Sequence, residues 1–430
     1  MSGHNGPLTR ATEKIVSVVG LGYIGLPTAA MFASKGIKVM GVDVNERAVE
    51  IINQGRVHIA EPGLEDMVRS AVASGKLRAY LRPQAADAFL LAVPTPFSGD
   101  HEPDLTYVEA AARSVAPVLQ KGNLVVLEST SPVGTTEQVA AWMADERPDL
   151  TFPQQEGEAS DIRIAHCPER ILPGRALLEL VENDRIIGGM TPLCAQRAVE
   201  LYGTFVTGEC CITNARTAEM CKLTENSFRD VNIAFANELS MISDKQGIDV
   251  WELIRLANRH PRVNILQPGP GVGGHCIAVD PWFIVDGAPE EAQLIRKARE
   301  VNDHKPLWVL EQIKTAIADV VAATPGKGIA DITVACLGLA FKPDIDDLRE
   351  SPAMSITQAV ARLGCRVLSV EPHIDTLPAS LQLHNVIFAS FEEALQDAHV
   401  LCVLVGHSAF KALTPDQLRG KIIIDTVGMI

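Results

Sequence analysis

Short apolar, β-branched runs at residues 15–19, 38–42, 88–93, 123–127, 163–166 and 185–188 alternate with stretches of helical length as far as about residue 205. This alternation is the signature of βαβ units and a parallel sheet. From Asn214 to Gln246 the pattern becomes one long helix, with Thr213 and Asn214 as caps for its start and Gly247 for its end. A helix of that length exceeds the need of one small domain, so it is expected to connect two lobes and to serve as a dimer interface. Further helix is expected from 248 to 310, around an irregular Gly/Pro stretch at 267–274. Strand–helix alternation then resumes, with strands expected at 332–337, 366–370, 400–404 and 422–425. A Pro- and Gly-containing segment at 322–330 marks the boundary of this last unit. The fold class is therefore α/β, with two doubly wound parallel-sheet lobes joined by a long central helix and a helical connector. The expected domains are 1–213, 214–321 and 322–430.

Length agrees, since 430 residues make roughly two to three domains. Hydrophobic residues at 47% and charged residues at 21% describe a globular chain and exclude extensive disorder. A net charge of −15 argues against nucleic acid as a partner, because tracking phosphates needs a basic excess. An anionic substrate must therefore meet local cations. Residues 1–14 are polar and lack an apolar core, so no signal peptide is expected. The apolar stretch at 15–32 is broken by glycines and a proline, which excludes a membrane span there. Nine cysteines are scattered without CxxC pairs or zinc spacing, pointing to no metal, a reducing cytoplasm and mostly core roles.

Gly20-Leu21-Gly22-Tyr23-Ile24-Gly25 follows an expected strand and opens an expected helix, the context that a dinucleotide-binding turn requires. Gly20 permits the tight turn, Gly22 lets backbone approach a pyrophosphate, and Gly25 allows close helix–strand packing. The positive end of the helix then faces the phosphates. Asp43, 23 residues after Gly20 at the end of the second strand, suits the adenosine ribose hydroxyls and repels a 2′-phosphate. The expected cofactor is NAD, bound by a Rossmann-like first lobe. Arg47 either lies along the adenosine or is a surface cation of its helix. Thr95 and Thr130 follow strands at the same carboxyl edge and are further cofactor contacts.

The most distinctive stretch is Gly269-Pro-Gly271-Val-Gly273-Gly274-His275-Cys276-Ile-Ala-Val-Asp280. Four glycines in six residues leave backbone open to a ligand, a thiol follows at once, and an acid comes four residues later. Eight cysteines read as small hydrophobes; Cys276 reads as a nucleophile. On the long helix Lys222, Asn226 and Arg229 share a face. That face is either a solvated stripe or the lining of an interdomain cleft. A desolvated lysine there is a competent acid–base group.

The runs Cys-Pro-Glu-Arg at 167–170, Ala-Glu-Met-Cys-Lys-Leu-Thr-Glu-Asn at 218–226, Gly-Gly-His-Cys-Ile-Ala-Val-Asp-Pro at 273–281 and Gly-Leu-Ala-Phe-Lys-Pro at 338–343 resemble the UDP-glucose/GDP-mannose dehydrogenase family. The resemblance extends from about Lys14 to the end of the chain. It implies that Cys276 is the nucleophile and Lys222 the acid–base group, with Asn226 and Asp280 assisting and Glu169 near the hydrolytic water. It implies that Arg170, Ile171, Lys222, Asn226 and Arg229 line the UDP-sugar, with His260, Arg262, Gly273, Phe341 and Lys342. It assigns Arg349 to the NAD, and Tyr23 and Ile24 of the glycine turn are further expected cofactor contacts. The arm carrying His260 and Arg262 implies a homodimer with shared sites. Within the family the closest likeness implies UDP-N-acetylmannosamine as substrate and a surface polysaccharide as destination, with UDP-N-acetylglucosamine as the alternative. Relatives carry a basic residue where this chain has Val427, so a substrate contact there is not expected.

Converting an alcohol to a carboxylate removes two hydrides, so two NAD per turnover are expected. A thiol that holds the intermediate aldehyde as a thiohemiacetal, and then as a thioester, accounts for a cysteine in the glycine cradle. A one-step hydroxyacid dehydrogenase also uses a helix lysine and asparagine but has no use for Cys276. An NAD-binding scaffold would bind cofactor and turn nothing over.

Overall fold

A computed structural model describes residues 14–99, 101–171, 174–274, 276–411 and 413–430. The polar stretch at residues 1–13, and His275 within the glycine run, lie outside the described residues. The chain divides into two compact units, Met1–Thr224 and Glu225–Ile430.

The first unit contains strands β1 (Ile15–Val19), β2 (Lys38–Val42), β3 (Leu77–Tyr80), β4 (Ala88–Leu91), a two-residue pair β5 (Phe97–Ser98) and β6 (Glu102–Pro103), then β7 (Leu124–Leu127), β8 (Arg163–His166), β9 (Arg185–Gly189) and β10 (Cys210–Asn214). Eight of these form one sheet in the order β10-β9-β8-β7-β4-β1-β2-β3, while β5 and β6 pair separately. The order reverses between β1 and β4, which creates the crevice where a doubly wound sheet binds its ligand. Buried side chains pack on both faces. Val16, Val18 and Leu90 meet helix Gly25–Ser34 on one side, and Phe89, Val125 and Ile164 meet helices Thr106–Val115 and Thr135–Glu146 on the other.

Several details depart from the sequence reading, among them β10 and the short strand Ile387–Phe388 of the second unit, which it did not include. Strand β3 was not anticipated, because Leu77-Arg-Ala-Tyr80 is too short and mixed to stand out. Strand β4 ends at Leu91, before Pro94 and Pro96. Strand β9 runs antiparallel to β8, so β9 and β10 form a reversed edge on an otherwise parallel sheet. Apolar periodicity cannot report strand direction, which depends on where the chain re-enters the sheet.

The long helix runs Ala215–Gln246. Asn214 Oδ1 accepts the Thr217 amide at its start. At its end Gly247, at φ +68°, lets Ile248 N–H reach back to the Ser243 carbonyl.

In the second unit, β11 (Thr333–Leu337), β12 (Arg366–Val370), β13 (Ile387–Phe388), β14 (Val400–Val403) and β15 (Ile422–Asp425) form an all-parallel sheet in the order β13-β12-β11-β14-β15. Val309, Ile313 and Ile317 from helix Gln293–Ala323 pack on one face, and Ala394, Leu395 and Phe410 on the other. That helix continues well past the expected limit at 310. Both units are Rossmann-like, as the alternation implied. Among the described residues no helix is long and apolar enough to cross a membrane.

Candidate functional site

The glycine turn of the first unit is shaped for backbone rather than side chains. Gly20 has φ +91°, and its amide donates to the Val42 carbonyl at 2.8 Å. A Cβ at Gly25 would lie 1.8 Å from the Gly20 carbonyl oxygen. A Cβ at Gly22 would meet nothing within 4 Å, leaving the open approach that a phosphate needs. Tyr23 is exposed and Ile24 half-buried before the helix starts at Gly25. The Asp43 carboxylate accepts Leu21 N–H and Asn45 N–H, each at 2.9 Å. It therefore holds the turn and retains acceptor capacity for two hydroxyls. These features fit an NAD. Arg47 is exposed on helix Glu46–Asn53. Thr95 and Thr130 are joined, the Thr95 hydroxyl donating to the Thr130 carbonyl at 2.5 Å.

Beneath that edge lies a buried polar cluster. Glu169 is 6% exposed; one of its oxygens accepts the Arg170 amide at 2.7 Å and the other pairs with Arg185 at 3.3 Å. The Arg185 guanidinium lies over the Tyr202 ring, whose hydroxyl donates to Glu128 at 2.6 Å. Burial pushes the Glu128 carboxyl up to about 7, against the opposing pull of Arg185. Arg170 donates to the Asp184 carbonyl, and Ile171 packs at the edge of the core. None of Glu128, Arg185 and Tyr202 was anticipated, since they lie on separate strands and helices.

Glu219, on the long helix three residues before Lys222, is also new. Its buried carboxylate accepts Gly134 N–H, Thr136 N–H and the Thr136 hydroxyl at 2.6–2.7 Å. It thereby caps helix Thr135–Glu146, where a negative charge suits the N-terminal dipole. Burial raises its pKa even so. Lys222 is half-buried and Arg229 exposed on the same helix.

In the second unit the Asn226 and Asp280 side chains come together, and Cys276 lies one turn before Asp280. The Asn226 amide donates to the Asp280 carboxylate at 2.5 Å, and both residues are buried. Asp280 opens helix Asp280–Gly287, and its amide donates to the Cys276 carbonyl at 2.8 Å. Cys276 itself is half-buried. The glycines before it are wedged in place. A Cβ at Gly273 would lie 2.5 Å from the Glu350 carbonyl oxygen, and one at Gly274 would lie 2.9 Å from the Phe341 ring. Further back, Gly269 N–H donates to Asn237 Oδ1, while the Asn237 amide donates to Asn302, which binds the buried Asp230–Arg299 pair.

His260 and Arg262 are exposed in a loop closed by Asn258, whose side chain binds both polar backbone atoms of Ile265. Phe341 and Lys342 are half-buried after β11. Arg349 is exposed and makes a bidentate pair with Asp347. Val427 packs beside the second core while Asp425 accepts the amides of residues 427–430, so a structural role occupies this position.

Three family models match in series. They are the NAD binding domain of the UDP-glucose/GDP-mannose dehydrogenase family at residues 14–206, its central domain at 216–304 and its UDP binding domain at 335–430. The chain belongs to this family. It is an NAD-dependent oxidoreductase of the UDP-sugar dehydrogenase kind. It is 63% identical over 415 residues to UDP-N-acetyl-D-mannosamine dehydrogenase of Escherichia coli (strain K12), covering 96% of this chain and 98% of that relative. It is 62% identical over 427 residues to NDP-N-acetyl-D-galactosaminuronic acid dehydrogenase of Ralstonia solanacearum, covering 98% of each. Among solved structures, UDP-D-ManNAc dehydrogenase from Pyrococcus horikoshii matches with a TM-score of 0.87 at 39% identity, over 97% of this chain and 96% of that one.

Proposed function

We propose that this chain oxidises the C6 hydroxyl of UDP-N-acetyl-D-mannosamine to the carboxylate, with two NAD consumed per sugar. The observation that carries the reading is 63% identity, across 96% of the chain, to a protein named for that substrate. The Asn226–Asp280 hydrogen bond one turn after Cys276, with wedged glycines just before that cysteine, supports it. Bound NAD supplies the acceptor for one hydride in each of two oxidations. In the first, Lys222 takes the C6 hydroxyl proton as the alcohol becomes an aldehyde. The Cys276 thiolate then adds to the aldehyde carbon, and the resulting oxyanion takes a proton to give a thiohemiacetal. Loss of the second hydride to NAD, with the thiohemiacetal hydroxyl proton passing again to Lys222, leaves a thioester on Cys276. Water positioned by Glu169 or Asp280 cleaves it, returning the thiol and releasing the carboxylate. Asn226, fixed by Asp280, donates to the oxygen that carries the developing charge.

We further assign NAD binding to residues 1–213, dimerisation and catalysis to 214–321, and UDP binding to 322–430, in a cytoplasmic enzyme serving surface polysaccharide synthesis. Phe228, Phe235 and Ile242, spaced by seven on the long helix and 44–67% exposed, support a homodimer through that face. His260 and Arg262 then complete the partner's substrate site.

The test is initial NADH formation with UDP-N-acetylmannosamine, UDP-N-acetylglucosamine, UDP-N-acetylgalactosamine and UDP-glucose, followed by NADH counted per sugar consumed. We expect UDP-N-acetylmannosamine to be fastest at two NADH per sugar, and Cys276→Ser to lose roughly a thousandfold or more in rate. One NADH per sugar, unchanged by Cys276→Ser, defeats the mechanism. The relative named for an N-acetylgalactosaminuronic acid favours a second reading, and faster turnover of UDP-N-acetylgalactosamine selects it.

A further inference from the structure

The segment 338–344 after β11 carries Phe341 and Lys342, and one buried pair holds both of its ends. At the start, Glu371 Oε2 accepts Leu339 N–H at 2.8 Å and Ala340 N–H at 3.0 Å. At the end, Asp344 N–H lies 3.0 Å from His407 Nδ1. A backbone amide only donates, so Nδ1 is the acceptor and the proton of the neutral ring sits on Nε2. Nε2 then donates to Glu371 Oε2 at 3.0 Å. Both partners are buried, His407 at 0% and Glu371 at 3% exposed. Burial raises the Glu371 carboxyl, but the hydrogen bonds from His407, Leu339 and Ala340 outweigh it and leave the group below its ordinary value.

Asp344 needs this support. Its φ of +59° is uncommon for a residue with a Cβ, and the Ser408 amide and hydroxyl hold its carboxylate. Asp344, His373 and His407 also lie close enough together to suggest a metal cage. Both ring nitrogens of His407 are already engaged, so the ring works as a strut instead. What the strut supports reaches the catalytic loop, since Gly273 and Gly274 press on Phe341 and Cys276 follows two residues later.

On the functional reading above, we propose that His407 is a positioning residue for the UDP-sugar. Through Glu371 and Asp344 its ring sets the conformation of 338–344, and with it the placement of Phe341 and Lys342. Hydrogen-bond partners that orient metal ligands change affinity by about tenfold or more, and an effect of that order is expected for a residue that orients a substrate-binding loop.

The test compares His407→Ala, which removes both bonds, with His407→Asn, which retains an acceptor near the Nδ1 position. KM for UDP-N-acetylmannosamine, KM for NAD and, by calorimetry, Kd for UDP are measured for each. We expect His407→Ala to raise KM for the sugar nucleotide and Kd for UDP about tenfold, with KM for NAD within about twofold. His407→Asn should recover part of the loss. Unchanged UDP affinity, or a fall in kcat alone as from a smaller folded fraction, overturns the proposal. If His407→Ala does not fold, the same readouts on His407→Asn decide. If the unmodified enzyme does not turn over UDP-N-acetylmannosamine, the substrate reading fails, while the UDP affinities still judge His407.

Discussion

The two Rossmann-like units begin alike and then diverge. Gly20 and Gly338 each follow the first strand of their sheet, at φ +91° and +93°, and each amide donates at 2.8 Å to the end of the second strand, Val42 or Val370. Past that point the first unit stays open. Gly22 has free space beside it, Gly25 begins a helix at once, and the acid after the second strand, Asp43, is half-exposed. The second unit closes on itself. The corresponding acid, Glu371, is buried under Leu339, Ala340 and His407, Pro343 stands where the third glycine would be, and the next helix starts only at Pro352. The same strand–turn–strand geometry thus presents an open glycine turn and a half-exposed carboxylate in one case, and a braced loop bearing an aromatic and a cation in the other. Both acids accept the amide after their glycine, and whether the rest of the carboxylate faces outward, as in Asp43, or is filled by Ala340 and His407, as in Glu371, decides which.

The largest expected contrast lies at the third position of the turn. Gly25→Ala forces a methyl to within 1.8 Å of a carbonyl oxygen, so a loss of about 3 kcal/mol or more, or failure to fold, is expected. Pro343→Ala, at an exposed site, should shift stability by under about 1 kcal/mol. Thermal unfolding of the two variants side by side breaks the comparison if they behave alike.

Next come the two acids. Glu371→Gln should cost about 2–3 kcal/mol by removing charge-assisted bonds from a buried site. Asp43→Asn should cost under about 1 kcal/mol while raising KM for NAD roughly tenfold. Unfolding midpoints and initial rates separate these outcomes.

A pH series sharpens the difference further. Glu128, in the first unit, has its pKa raised from 4.5 to about 7 by burial. The folded state therefore keeps a proton that the unfolded state has lost, and stability falls as pH rises from about 4.5 to about 7. Glu371 is shifted the other way, so its contribution is present above the ordinary carboxylate range and disappears as pH falls below it. Glu128→Gln should stabilise the protein by about 1–2 kcal/mol at pH 8 and leave it unchanged at pH 4, as read from urea unfolding. The smallest effect on stability is expected from Gly22→Ala, whose methyl meets nothing, although KM for NAD should rise severalfold. An unchanged KM would mean that no phosphate approaches there.

Much of this was legible in the chain itself. Apolar runs located the principal strands of both sheets, and Asn214 and Gly247 bracketed the long helix by local cap chemistry. Spacing alone picked out Gly20, Gly22, Gly25 and Asp43. Cys276 stood out because glycine-rich backbone beside a thiol has few structural explanations. All of these signals depend on near neighbours, which fix φ, ψ and periodicity.

What the sequence could not contain was which distant groups satisfy one another. Glu219 reaches Gly134 across 85 residues, His407 reaches Glu371 across 36, and Asn237 reaches Gly269 across 32. Glu169 finds Arg185 only because β9 reverses direction beside β8. A buried carboxylate needs partners but does not specify from where in the chain they come. Only the folded topology chooses them, and it is that choice that left Asp43 available and Glu371 enclosed.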